Sequence, residues 1–301
     1  VRRSPKWIFM VAAAIVLGGV ALLVKGVIGS DGAAATFLTG DSSAQASPSP
    51  TGPSPEQLAR IARAKKVRAL DAALKKYAAT VPEFSVAVLD AKTGETYAYR
   101  GDEKFETASV VKVQVLACLL LNAQDAGRAV TSSEDSRAKL MIRNSDNNAT
   151  TSLFNQLGKA AGIQRCDKRL GLAQTTVAGS WGLTRTTVKD QVKLLSQLAA
   201  EDSPLSAKSR AYAHTLMSTV AEDQDWGVPA AAKAGEEATV KNGWLSRSTE
   251  NGLWIINSVG RITGDDVDVS IAVLSHGHKT MPAGITVVQK AATMTRTYLK
   301  Y

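Results

Sequence analysis

Ser109-Val110-Val111-Lys112-Val113-Gln114-Val115-Leu116-Ala117-Cys118-Leu119-Leu120-Leu121 opens on a hydroxyl and continues as an almost unbroken apolar run. Apolar residues on nearly every face predict a helix over 110–121 that is buried inside a domain. Ser109 and Lys112 stand three positions apart and share one face of it. A lysine inside such a helix is costly as a cation, so desolvation lowers its pKa and makes it a base for the serine proton. Helical amides would help hold the negative charge that forms when the serine attacks a carbonyl. The alternative reading is a buried lysine satisfied by a carboxylate. The same spacing recurs at Ser136-Arg137-Ala138-Lys139, but there the stretch is polar and the lysine would be solvated and protonated.

Working outward, residues 84–89 and 95–99 read as strands joined by the turn Asp90-Ala91-Lys92-Thr93-Gly94, which makes a hairpin. A helix precedes them over 56–79, with Leu58, Ile61, Val67, Leu70, Leu74 and Tyr77 apolar. Helices follow at 133–142, 149–158 and 187–200, then strands at 239–242, 253–259 and 267–274, and a last helix over 285–299. This order predicts an α+β domain: an antiparallel five-stranded sheet covered by helices, plus a helical lobe. First and last helices would pack together, and chemistry would sit between the two lobes.

The chain has 301 residues and a net charge of +9, and 45% hydrophobic residues allow an ample core. A basic run holds Arg60, Arg63, Lys65, Lys66, Arg68, Lys75 and Lys76 without interleaved aromatics. It reads as a solvated helix face or an attraction to anionic membrane or cell-wall polymer, not as a nucleic-acid surface. Residues 7–24 are apolar and uncharged after Arg2, Arg3 and Lys6, the pattern of an export signal. Residues 1–29 are therefore expected to be a membrane anchor or a cleaved signal peptide. No cysteine follows that segment, which argues against a lipid-anchored amino terminus. Residues 30–55, rich in Ser and Pro, read as an extended linker, and 56–301 as the folded domain. Cys118 and Cys166 are the only cysteines, either paired or two buried thiols. His276-Gly277-His278 reads as solvated loop histidines, and Ala178-Gly179-Ser180-Trp181-Gly182 lacks the first glycine of a nucleophile elbow. No metal or cofactor is called for, and a monomer is expected.

Two further motifs complete the pattern: Ser145-Asp146-Asn147 between helical stretches, and Lys241-Asn242-Gly243 at a strand end. With Ser109-x-x-Lys112 they resemble, in order, the motifs of class A β-lactamases and penicillin-binding proteins, over residues 56 to about 300. The segments 105–112 and Trp226-Gly227-Val228-Pro229 are similar to an actinobacterial extracytoplasmic branch of that family. The resemblance implies Ser109 as nucleophile, Lys112 as its base and Ser145 as proton relay to the leaving nitrogen. Asn147 would hold a substrate amide, Lys241 would bring positive charge to Ser145 and a substrate carboxylate, and Asp146 would tie its loop to backbone. The backbone N–H groups of Ser109 and Trp244 would form the oxyanion hole, with Trp244 bordering the site and Gly243 giving substrate backbone a close approach.

Two departures qualify this. Asn242 replaces the usual hydroxyl residue, although its NH₂ could still donate to a substrate carboxylate. The loop over 174–187 has no acid, and none occurs between Lys168 and Lys189, so the glutamate that activates the deacylating water is missing. Asp167 and Asp190 are the nearest. The expected activity is acylation of Ser109 by β-lactams or related amides, with slow deacylation. The alternatives are a penicillin-binding protein processing D-alanyl peptides, or a non-catalytic receptor for cell-wall fragments or β-lactams.

Overall fold

Ser54 opens the folded region in the computed structural model, which describes residues 52–301. Its hydroxyl accepts from Gln57 N while the Gln57 side chain accepts from Ser54 N. This reciprocal cap, with Pro55 in the first turn, starts α1 (Pro55–Ala78). The expected signal segment and nearly all of the expected linker lie outside the described residues.

A hairpin follows, β1 (Phe84–Asp90) and β2 (Thr96–Tyr99). The short strand β3 (Phe105–Glu106) leads to a 3-10 helical turn (Ala108–Val110) and then α2 (Val111–Asp125). The helical lobe continues through α3 (Ser132–Arg143), α4 (Asn147–Gln156) and α5 (Lys159–Leu170). After β4 (Arg185–Thr186) come α6 (Val188–Gln197) and α7 (Ala207–Met217). The chain then returns through β5 (Glu237–Arg247), β6 (Leu253–Thr263) and β7 (Asp268–His278) and closes with α8 (Met281–Leu299).

The main sheet has the order β2-β1-β7-β6-β5 and is antiparallel throughout, as expected. Its two faces follow the period-2 alternation of side chains. Ala87, Val259, Ala272 and Leu274 point into a core shared with α2 and the helical lobe. Val86, Val88, Ile271 and Val273 point into a second core with Leu70 and Leu74 of α1 and Val287, Val288 and Ala291 of α8. The first and last helices do pack together.

Four expectations change. The helix over 110–121 begins instead with the 3-10 turn, so Ser109 lies on that turn and Lys112 in the first turn of α2. Helices α5 and α7 add to the lobe, and β5 runs on past Asn242 to Arg247. The choice left open for Cys118 and Cys166 falls to a disulfide, which ties α2 to α5. Both histidines of His276-Gly277-His278 belong to β7 rather than a loop. His276 Nε2 lies 2.7 Å from Glu83, and His278 is buried with Nε2 2.9 Å from Ser275 Oγ.

Candidate active site

The segment carrying Ser109 is held by its neighbours on three sides. Asn257 of β6, fully buried, donates from Nδ2 to Glu106 O at 2.9 Å and to Thr107 O at 3.0 Å. Thr107 N donates to Thr184 O at 2.8 Å, which pins the segment to the 174–187 loop. Gly243 of β5, opposite Asn257 in register, forms the third side. A Cβ there would come within 2.8 Å of Ser109 N, Val110 N and Thr107 O. Gly243 therefore makes room for the segment carrying Ser109, a correction to the expectation that it makes room for substrate. Ala108 is held at φ 45°, a left-handed conformation that costs a non-glycine residue about 1–3 kcal/mol and tends to persist where function needs it.

Ser109 is half-buried and opens into a groove of about 500 Å³. Asn147, Thr151 and Asn155 of α4 form one wall, and Trp244, Leu245 and Arg247 of β5 the other. Trp181, Gly182 and Leu183 close one side. β5 is the edge strand of the sheet, so the groove runs beside backbone groups that no further strand pairs.

Lys112 and Lys241 meet at Ser145. Lys112 Nζ donates to Ser145 O at 2.6 Å, to Ser145 Oγ at 3.0 Å and to Asn147 Oδ1 at 2.9 Å. Lys241 Nζ lies 3.0 Å from the same Ser145 Oγ and donates to Asn242 O at 2.7 Å. Burial pushes the Lys112 ammonium down to about 7, and the nearby Asp146 carboxylate only partly opposes this. Lys241 is pushed well below its usual value, chiefly by burial and then by the Lys112 charge. The structure thus unites Lys112, Ser145, Asn147 and Lys241 around one hydroxyl. The Ser109 hydroxyl has no hydrogen-bond partner among the described residues and faces the groove beside them. Asp146 has the structural role expected of it: Oδ1 caps α4 by accepting from Ala149 N at 2.6 Å.

Asn242 corrects an expectation. It is 1% exposed, and Nδ2 donates to Gln224 O at 2.7 Å and Trp226 O at 2.9 Å. Side chains alternate along a strand, so with Lys241 turned to Ser145 its neighbour is turned to the loop over 224–226. Asn242 latches that loop and has no free donor for a substrate carboxylate.

Trp181 and Arg247 also line the groove, although neither belongs to the three motifs. The Trp181 indole donates to Thr151 Oγ1 at 3.1 Å, and its ring lies 5.0 Å from Lys112 Nζ. An ammonium over an indole face is attracted by the ring quadrupole. The loop that lacks an acid thus presents an aromatic ring to the lysine. The two nearest acids are engaged elsewhere. Asp167 is buried against Gln114 Nε2, at 3.0 and 3.2 Å, and burial pushes its pKa up to about 7. Asp190 accepts from Gln174 N at 2.8 Å and Thr175 Oγ1 at 2.6 Å.

The sheet order and the three motifs around one groove define a fold of the β-lactamase and penicillin-binding-protein kind. The model of the Beta-lactamase enzyme family matches residues 63–134 and 134–299, and the chain belongs to that family. Among solved structures, the TLA-1 extended-spectrum β-lactamase superposes with a TM-score of 0.70 at 18% identity, covering 79% of this chain and all (100%) of that one. A β-lactamase from Burkholderia vietnamiensis gives 0.67 at 20% identity, covering 78% and 96%. The protein PBP-A gives 0.67 at 17% identity, covering 77% and 97%. These likenesses show the fold. A curated relative, "Putative lipoprotein LppW" of Mycobacterium tuberculosis (strain H37Rv), is 31% identical over 170 residues. That match covers 54% of this chain, and the chain spans about half the length of the relative, 54%.

Proposed function

We propose that the protein is a serine hydrolase that β-lactams or related amides acylate on Ser109, with slow release of the acyl group. The observation that carries this reading is Ser145 Oγ, held 3.0 Å from both Lys112 Nζ and Lys241 Nζ beside the groove that Ser109 lines. In its neutral form Lys112 takes the Ser109 proton as Oγ bonds to the carbonyl carbon. The carbonyl electron pair moves onto its oxygen, towards the backbone N–H groups of Ser109 and Trp244. When that pair returns, the C–N bond breaks, and the proton passes from Lys112 through Ser145 Oγ to the leaving nitrogen. The products are an ester on Ser109 and an amine. No Asp or Glu lines the groove, so water attacking the ester lacks the general base that typically gives about 10²–10⁴-fold.

One set of contacts favours a second reading, a non-catalytic receptor for cell-wall fragments or β-lactams. Three oxygens around Lys112 Nζ suit the ammonium form, which cannot accept a proton, and Asn242 offers no donor to a substrate carboxylate. An extracytoplasmic place is part of the proposal, since residues 7–24 read as an export segment. The relative is named a lipoprotein, but both cysteines of this chain are joined within the folded domain. Attachment through the apolar segment, or secretion if that segment is cleaved, is the reading that its composition supports.

The test is intact mass over time with a penicillin. The proposal expects an adduct on Ser109 that decays slowly and is absent from Ser109→Ala. A chain that never forms the adduct, while it and Ser109→Ala bind cell-wall peptides equally, is the receptor.

A further inference from the structure

β5 gives the groove a direction. Lys241 and Ser145 stand at one end, Gly243 lies against the Ser109 segment, and Arg247 lines the far end. The reading of Ser109 as the acylated residue, on which this inference rests, puts the leaving nitrogen at Ser145 and hence the acyl portion towards Arg247. Trp244 and Arg247 are three residues apart on an extended strand, roughly 10 Å. A substrate extended beside this edge therefore brings a group roughly three residues before its scissile bond to Arg247.

Arg247 is built as a site rather than a surface charge. Its Nε lies 3.1 Å from Glu106 Oε2, with the two side chains only 21% and 16% exposed. Both atoms are buried, yet they meet without a directed hydrogen bond. Glu106 thus stands beside one edge of the guanidinium, and the two terminal amino groups have no hydrogen-bond partner among the described residues. No acid lines the groove to occupy them. Across the groove stand Asn147, Thr151 and Asn155, one helical face of amide and hydroxyl groups suited to peptide backbone. A guanidinium fork with a free end matches a carboxylate in charge and shape.

We infer that the acyl side of the groove takes a peptide bearing a carboxylate roughly three residues before the scissile bond, read by the free end of Arg247. The substrate class is an acidic peptide, and Arg247 determines the preference.

The test uses two synthetic peptides ending in D-alanyl-D-alanine that differ only in a glutamate or a glutamine three residues before the scissile bond. Binding to the full chain carrying Ser109→Ala is measured by calorimetry, so that no acylation intervenes. The glutamate peptide is expected to bind about tenfold more tightly or better, as a charge-assisted contact requires. Adding Arg247→Gln removes the difference, Arg247→Lys keeps part of it, and Glu106→Gln, which frees the guanidinium, keeps or raises it. Equal binding of the two peptides, or a preference that survives Arg247→Gln or is lost with Glu106→Gln, overturns the inference. Acylation of the unmutated chain is followed separately by intact mass with the glutamate peptide and with benzylpenicillin. If Ser109 never acylates while the Arg247-dependent preference persists, the acyl chemistry falls and the carboxylate site stands.

Discussion

Lys112 is the residue on which the proposed chemistry turns. Its folded pKa, pushed down to about 7 by burial, leaves a fraction neutral at neutral pH. The neutral amine is the form that accepts a proton, so the rate of adduct formation with a penicillin should rise with pH through about 7 and then level off. Lys112→Ala should slow it by about 10²–10⁴-fold, the usual share of a general base. Trp181 sits beside the same ammonium where the loop offers no acid. Trp181→Glu places a carboxylate there, so the acyl-enzyme should decay measurably faster in the same mass time course. An unchanged lifetime would mean that the missing base does not limit release.

At the scale of elements, β5 and β6 hold the 3-10 turn that carries Ser109, and the proposed acylation would depend on that hold. Gly243→Ala would push a methyl against three backbone atoms at 2.8 Å, none of which is the end of a flexible side chain. It should cost about 1–3 kcal/mol in denaturant unfolding and slow acylation even where the fold survives. Asn257→Ala removes the donors to Glu106 O and Thr107 O. Thr107 O keeps its bond from Val110 N, while Ser275 N loses the Asn257 Oδ1 that accepts from it, so the change should cost about 1–3 kcal/mol and loosen the segment carrying Ser109. The 3-10 turn itself is unreadable from sequence, because Ala108 with positive φ follows no residue preference and is imposed by those neighbours.

For the whole molecule, α2 is the axis on which the lobe assembles, and the Cys118–Cys166 bond joins it to α5 across 48 residues. Closing a loop of that length in the unfolded chain is worth about 4 kcal/mol in the chain-entropy account, an amount engineered bonds often fail to reach. Cys118→Ala with Cys166→Ala should therefore lower unfolding free energy by about 2–4 kcal/mol, read from denaturant melts. The two cores have separate sources: local apolar pattern builds α2, whereas α1 and α8 come together from opposite ends of the domain.

Sequence by itself determined the class of the protein. The apolar run after Ser109 marks a buried helix, the hairpin and three later strands make the sheet, and Ser145 and Lys241 complete an ordered set of motifs, all from local pattern and spacing. It also showed the acid-free loop, since absence of a residue type needs no coordinates. Only the tertiary structure decided what each neighbour touches. Asn242 turns inward because strand alternation points it away from Ser145 and the 224–226 loop accepts from its amide, and Gly243 faces the turn that carries Ser109 because that turn packs on an edge strand. Helix α7 escaped notice because its own apolar pattern is weak, whereas α5 does carry one, with Ile163, Cys166 and Leu170 on its buried face, in a stretch read only for its missing acids. The approach of Trp181 to Lys112, and of Arg247 to Glu106, joins residues 69 and 141 positions apart (181 less 112, 247 less 106). Pairings at such separation are fixed by packing of the whole chain, which no local pattern records.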